Sequence, residues 1–324
     1  MHFSLADTHV QQLGVHLLKT HLCLEPFCLA TARQLSAAHP VAKLLQPYLR
    51  DTMRVNSLGR EFMMGAIESV FAVGENAIPF MSHMYASWDF TTDMNPVASL
   101  ESRGFDEALG SSLNAPGQYP WAEDARDLFQ IICAHATRYV EHFYSSNSVV
   151  EADSELQAWI GECAEFHRMK GGVPTKIVSK PALSEILAMI IWTASAYHSS
   201  VNYKQLDHYG FILNAPTKLT GSLHQFTKQD PLKLVAPTFG ETTLNNLFVR
   251  SLSEYFPEDA FLGQWDDRIV GPLGSSERGL CWRFWKELQE YDTRVCERNE
   301  ELPGRKERPF DELLTSRIVS SAKI

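Results

Sequence analysis

The 324-residue chain has no long hydrophobic run. Its most apolar stretch, Ile186 to Ala196, is too short to cross a bilayer. A membrane-spanning helix is therefore not expected, and only peripheral contact with a membrane stays open. Positive charge is not in excess: 29 Lys and Arg stand against 39 Asp and Glu, a net charge of −10. Phosphate recognition needs a basic surface, so nucleic acid is not an expected partner. The six cysteines contain no Cys-x-x-Cys pair, and the N-terminal MHFSLADTHV has neither the basic nor the apolar part of a secretory signal. These absences point to free thiols in a reducing compartment, the cytoplasm. A zinc peptidase is disfavoured because His-Glu-x-x-His is missing. No internal repeat, low-complexity tract or strand alternation is found.

What is present is helical periodicity, and the class is all-α. A first helix is expected from an Asp7/Thr8 cap to beyond Arg33, apolar on most faces, with Glu25-Pro26 bending it after Leu22. Further helices are expected over Val41 to Leu49, Val55 to Val73, Ala122 to Tyr144 and Ser154 to Met169. Residues 74–121 read as loop and short helix. Ser179 should cap a helix with Pro181 in its first turn, running over Ala182 to Gln205 and again apolar all round. Leu244 to Tyr255, Ser276 to Cys296 and Phe310 to Leu314 complete the set. A helix that is apolar all round belongs at the centre of a protein, so two such helices should form the core. The whole of 1–324 reads as a single domain.

Polar residues on those two helices are the candidates for chemistry. His16 and His21 lie five apart in VHLLKTHLCLEPF. At about 100° per residue this places them roughly 140° apart on an α-helix, too far round to share an ion. A π-bulge, with i→i+5 bonding, would widen the turn and bring the rings together. Chance placement of 12 histidines in 324 residues also yields such pairs. On the second helix His198 and Asn202 lie four apart, on one face, where a satisfied core hydrogen-bond pair is the plainer reading. Together the four offer nitrogen and oxygen donors that suit iron or manganese better than a structural zinc. Di-iron carboxylate chemistry is disfavoured, because neither helix carries Glu-x-x-His.

The segment from His16 through His21 to Phe27, followed by Arg33-Gln-Leu35, His39-Pro40 and Lys43-Leu-Leu45, resembles the first metal-binding helix of the lipoxygenases. Ile191 through His198 and Asn202 to Gln205 resembles their second. Asn214-Ala-Pro216, Phe261-Leu-Gly263 and the closing Ser320 to Ile324 fall in the family's order. The resemblance implies that His16, His21 and His198 bind non-haem iron, with manganese the lesser candidate. Asn202 would be a weaker oxygen ligand, and Ile324 would bind through its terminal carboxylate. A water or hydroxide would take the remaining position.

The same resemblance assigns further roles. Gln12 and Gln205 would lie in the outer shell, linking the ligands to the substrate cavity. In Val55-Asn-Ser-Leu-Gly59-Arg60, the family carries Ala or Gly at position 59, alanine going with S hydroperoxides and glycine with R. A glycine inside a helix costs roughly 1 kcal/mol relative to alanine, and here the missing methyl would admit O2. Met63 would line the oxygen channel and Leu252 would clamp the substrate. The implied reaction is hydrogen abstraction from a cis,cis-1,4-pentadiene of a polyunsaturated fatty acid, then addition of O2 to give a hydroperoxide.

The match departs from the family at its start. Lipoxygenases carry a β-barrel and early catalytic helices before the first metal-binding histidine, whereas His16 is close to residue 1. The expectation is the C-terminal part of a catalytic domain, needing the absent N-terminal portion. The two central helices would then lose part of their cover and expose apolar surface. A hydroperoxide isomerase of the same fold and an inactive helical fragment are the alternatives.

Overall fold

The first helix is one rod that changes its hydrogen bonding along its length. In the computed structural model, which describes residues 2–63, 65, 67, 70–105, 119–166, 172–212, 214–218, 238–264, 274–302, 306–307 and 309–323, it starts as α1 (His2–His9). It becomes π-helical over Val10–His21, tightens to a 3₁₀ turn at Leu22–Leu24, and continues as α2 (Glu25–Gln34). Thr8 is not the cap expected from the sequence. It lies inside the helix, and its hydroxyl donates to the Ser4 carbonyl at 2.7 Å. The predicted disturbance after Leu22 is the 3₁₀ turn. Pro26 then sits in the first turn of α2, where a missing N–H leaves no bond unmade.

After a short turn, α3 (Pro40–Leu49) is capped by His39, whose Nδ1 accepts from Val41 N. Next come α4 (Thr52–Leu58) and a π-helical turn over Gly59–Met63. The region read as loop and short helix holds α5 (Ala77–Ala86), α6 (Phe90–Asp93) and α7 (Pro96–Ser102). Asp89 and Asn95 cap the last two through backbone N–H groups.

Three helices follow: α8 (Pro120–Phe143), α9 (Asn147–Ala152) and α10 (Ser154–Phe166). The central α11 (Lys180–Trp192) begins at Ser179, whose hydroxyl accepts from Ala182 N as its position predicts. It passes into a π-helical turn, Thr193–Tyr197, and then α12 (His198–Asn202). The uninterrupted helix expected to Gln205 therefore breaks at a turn over residues 203 and 204, and α13 (Gln205–Tyr209) starts afresh. α14 (Phe239–Leu252) starts five residues earlier than expected, because Thr238 and Glu241 form a capping box. α15 (Ser275–Glu301) is the longest uninterrupted α-helical stretch among the described residues.

The core forms around α11. Leu183 and Ile186 through Trp192 are all buried, on every side of the helix. α8 packs against both α11 and α15, and α10 against α2. Each fully buried Leu or Ile contributes roughly 1.5–3 kcal/mol, so the apolar circumference of α11 fixes its place at the centre. At the start of the first helix Phe3 and Val10 are exposed, while His16, His21 and His198 are buried. Among the described residues no helix is long and apolar enough to cross a membrane, and all six cysteines are free thiols.

The predicted helix over Phe310 to Leu314 does not form. Side chains of α15 take its backbone groups instead. Asn299 Nδ2 donates to Phe310 O, Asn299 Oδ1 accepts from Phe310 N, and Asp292 Oδ1 accepts from Thr315 N. With those groups satisfied, nothing favours an intrahelical alternative. The chain then runs as an extended tail, pairing Val319 with Phe261 in a single antiparallel bridge, the one β-bridge among the described residues. Leu262 N donates to Ile318 O and Ser320 N to Ala260 O, both at 2.8 Å.

Candidate metal centre

The π-helical stretch solves the spacing of His16 and His21. With i→i+5 bonding the turn is wider, and residues five apart come nearly into line. The two rings lie 5.0 Å apart between centroids. A second π-turn, Thr193–Tyr197, ends directly before His198 and turns that ring toward the first helix. His21 and His198 approach to 3.0 Å between their Nε2 atoms. Each of the three histidines offers one nitrogen, and these nitrogens all lie within 4.8 Å of one another. All three side chains are buried.

Asn202 is one turn beyond His198 and fully enclosed. Its Nδ2 donates to Leu252 O at 2.8 Å, whereas its Oδ1 is buried without a hydrogen-bond partner. A buried amide oxygen left unpaired is destabilising by about 1–3 kcal/mol, and a cation is one partner that would satisfy it. Three imidazoles and an amide oxygen form a nitrogen-rich donor set with no thiolate. That chemistry fits a mid-row transition metal better than magnesium or calcium, which take all-oxygen shells. The residues present thus fit such an ion. Ile324, the remaining expected ligand, lies outside the described residues. The tail leading to it is fixed: Ser199, next to His198, accepts from Val319 N at 3.0 Å, and Lys323 pairs with Asp259 at 2.7 Å.

The two glutamine candidates are in contact with each other. Gln12 Nε2 donates to Gln205 Oε1 at 2.8 Å, and Gln205 Nε2 lies 3.2 Å from His16 Nδ1 and donates to Val201 O. A contact not anticipated from the sequence serves His21. Its Nδ1 is 3.2 Å from Asn56 Oδ1, while Asn56 Nδ2 donates to His21 O and to Glu25 Oε2, each at 3.0 Å. Arg60 completes that chain with a 2.7 Å bond to Glu25. Nothing in the sequence marks Asn56, which lies between polar Arg54 and Ser57 in a segment singled out for its glycine.

An apolar cavity of about 60 Å³ opens beside the histidines. Leu17, Val55, Gly59 and Leu252 line it together with His16 and His21. Gly59 and Leu252 thus line the same cavity. Gly59 has ordinary helical angles, φ −57° and ψ −47°, so its backbone does not demand glycine. Met63 ends the same π-turn, but its side chain lies outside the described residues. Leu22, Arg60 and Met81 are shared with an outer, largely apolar groove of about 610 Å³, which the sequence reading did not anticipate.

Fold and site together define an all-helical protein built around a buried three-histidine centre beside an apolar cavity. The sequence of residues 1–309 matches the lipoxygenase family. This chain belongs to that family. The seed linoleate 9S-lipoxygenase-3 of Pisum sativum is 34% identical over 318 residues, covering 90% of this chain and 36% of the pea protein. Lipoxygenase 4, chloroplastic, of Arabidopsis thaliana is 31% identical over 331 residues, covering 95% of this chain and 35% of that protein. Among solved structures, a lipoxygenase variant in complex with arachidonate superimposes with a TM-score of 0.88 at 26% identity, over 99% of this chain and 47% of that one. A coral 8R-lipoxygenase gives 0.87 at 26% identity, over 99% and 48%. The chain therefore spans roughly a third to a half of the length of the relatives it matches.

Proposed function

We propose that residues 1–324 act as one part of a lipoxygenase catalytic domain, in which His16, His21, His198, Asn202 and the Ile324 carboxylate hold a non-haem iron. The proposed reaction is dioxygenation of a polyunsaturated fatty acid at a cis,cis-1,4-pentadiene to give a hydroperoxide. The observation that carries this reading is the convergence of three buried imidazoles, two of which, His16 and His21, line an apolar cavity. When bound, iron supplies the redox couple that accepts an electron as a hydrogen atom leaves the bis-allylic methylene.

The residues of the chain supply the surroundings for that step. Leu17, Val55 and Leu252 exclude water from the cavity, which protects a carbon radical from side reactions. The bond from Asn202 Nδ2 to Leu252 O ties the cavity wall to the ligand helix, so pentadiene and ligands share one frame. Gly59 brings no side chain to the cavity and leaves room for O2 at one end of the pentadiene. That favours an R product, as in the coral 8R-lipoxygenase, over the S outcome in the names of the legume relatives. Met63 is proposed to border the same oxygen path. The outer groove, reached past Leu22 and Met81, accommodates the rest of an acyl chain. Free thiols fit a reducing compartment such as the cytoplasm, although one relative is named chloroplastic.

The test combines oxygen uptake on linoleate and arachidonate with chiral chromatography of the products, using the iron-loaded chain. Uptake with an R hydroperoxide is expected. Consumption of added hydroperoxide without oxygen uptake would replace the reading with isomerase chemistry.

A further inference from the structure

We infer that Asn56 is a positioning residue for His21, fixing which ring nitrogen faces the cluster, and that Glu25 and Arg60 hold Asn56 in the orientation this requires. The inference rests on the reading of His21 as a metal ligand. The argument comes from the hydrogen-bond inventory of each group. Asn56 is buried, on α4. One end of its amide faces two groups that only accept, the His21 carbonyl and the Glu25 carboxylate, each at 3.0 Å. That end must be the NH₂. The other end is then the oxygen, which only accepts, and it faces His21 Nδ1 at 3.2 Å. Nδ1 must therefore carry the proton. A neutral imidazole has one N–H, so Nε2 is left with its lone pair, and Nε2 is the nitrogen that meets His198 at 3.0 Å.

The arrangement holds His21 at two points, through its ring and its own carbonyl. That carbonyl lies where the π-helical bonding gives way to the 3₁₀ turn. Glu25 is four residues beyond His21, and its Oε2 takes both Asn56 Nδ2 and Arg60 Nη1. A chain of bonds thus runs from Arg60, half-exposed on the wall common to cavity and groove, through Glu25 and Asn56 to His21. Without the carboxylate the amide could turn end for end, and the selection of tautomer would go with it.

The direct test is nitrogen-15 NMR of the full metal-free chain at a pH where His21 is neutral. His21 is expected in the Nδ1–H form. In Asn56→Ala that preference should disappear, and cobalt(II) affinity should fall about 10- to 100-fold. Glu25→Gln should give a smaller loss, in the same direction. Finding His21 as Nε2–H in the unsubstituted chain overturns the inference without any variant. So does a folded Asn56→Ala chain that keeps both the Nδ1–H form and its cobalt affinity. An Nδ1–H form in a chain that binds no cobalt upholds the role of Asn56 and removes the metal reading instead.

Discussion

Gln12 and Gln205 are 193 positions apart in sequence and share a 2.8 Å hydrogen bond in the buried layer behind His16. That bond joins the first helix to α13, and Gln205 reaches His16 Nδ1 in turn. Replacing Gln205 with Leu keeps much of the volume and removes both contacts. Metal affinity is expected to fall roughly 10- to 100-fold, as for other groups that orient ligands, with the fold retained by circular dichroism. An unchanged affinity in titrations would show that the glutamine pair is only packing.

Gly59 and Leu252 both line the 60 Å³ cavity, and the backbone angles of Gly59 are those any residue adopts in a helix. Gly59→Ala should therefore fold normally and move the product from the R toward the S hydroperoxide. Chiral chromatography reads the outcome. Retention of R chirality in an active Gly59→Ala enzyme removes the stereochemical role.

Leu187 sits at the centre of the core with no exposed surface. Leu187→Ala should lower stability by about 2–5 kcal/mol, from lost burial and the cavity left behind. Urea denaturation measures this, and metal content of the fraction that stays folded should not change. A loss under 1 kcal/mol would contradict the central position given to α11.

His135 on α8 is fully buried and stacks on Phe284 at 4.2 Å between ring centroids. Burial, with a smaller contribution from the Arg138 charge, lowers its pKa from the ordinary 6.5 to about 3. The unfolded chain then binds a proton below pH 6.5 that the folded chain refuses. Stability is fully present above pH 6.5 and is lost as pH falls toward 3, at up to about 1.36 kcal/mol per pH unit from this group. His135→Phe should flatten that limb of the stability profile measured by urea denaturation across pH. A profile with the same slope in the variant would assign the acid sensitivity to other groups.

The sequence was most readable where one physical rule governed a whole element. The unbroken apolar circumference of α11 and the Ser179–Pro181 start signal place that helix correctly. The i, i+5 spacing of His16 and His21 called for a widened turn, and the π-helix provides it. The turns Gly59–Met63 and Thr193–Tyr197 are π-helical as well, but no such paired marker in the sequence signals it. Phe310 to Leu314 has helical periodicity, but Asn299 and Asp292, close in space and not in sequence, capture its backbone. Asn56 is silent in the sequence for a related reason. Its partners are His21 and Glu25, 35 and 31 positions away, and no local pattern links them.

The central claim is that His16, His21, His198 and Asn202 hold one catalytic iron. Elemental analysis of the folded chain after loading with ferrous iron and gel filtration tests it most directly, alongside His198→Ala. The account predicts about one iron per chain, and essentially none in His198→Ala with its helical content preserved. An iron-free chain, or iron bound equally well without His198, would contradict it.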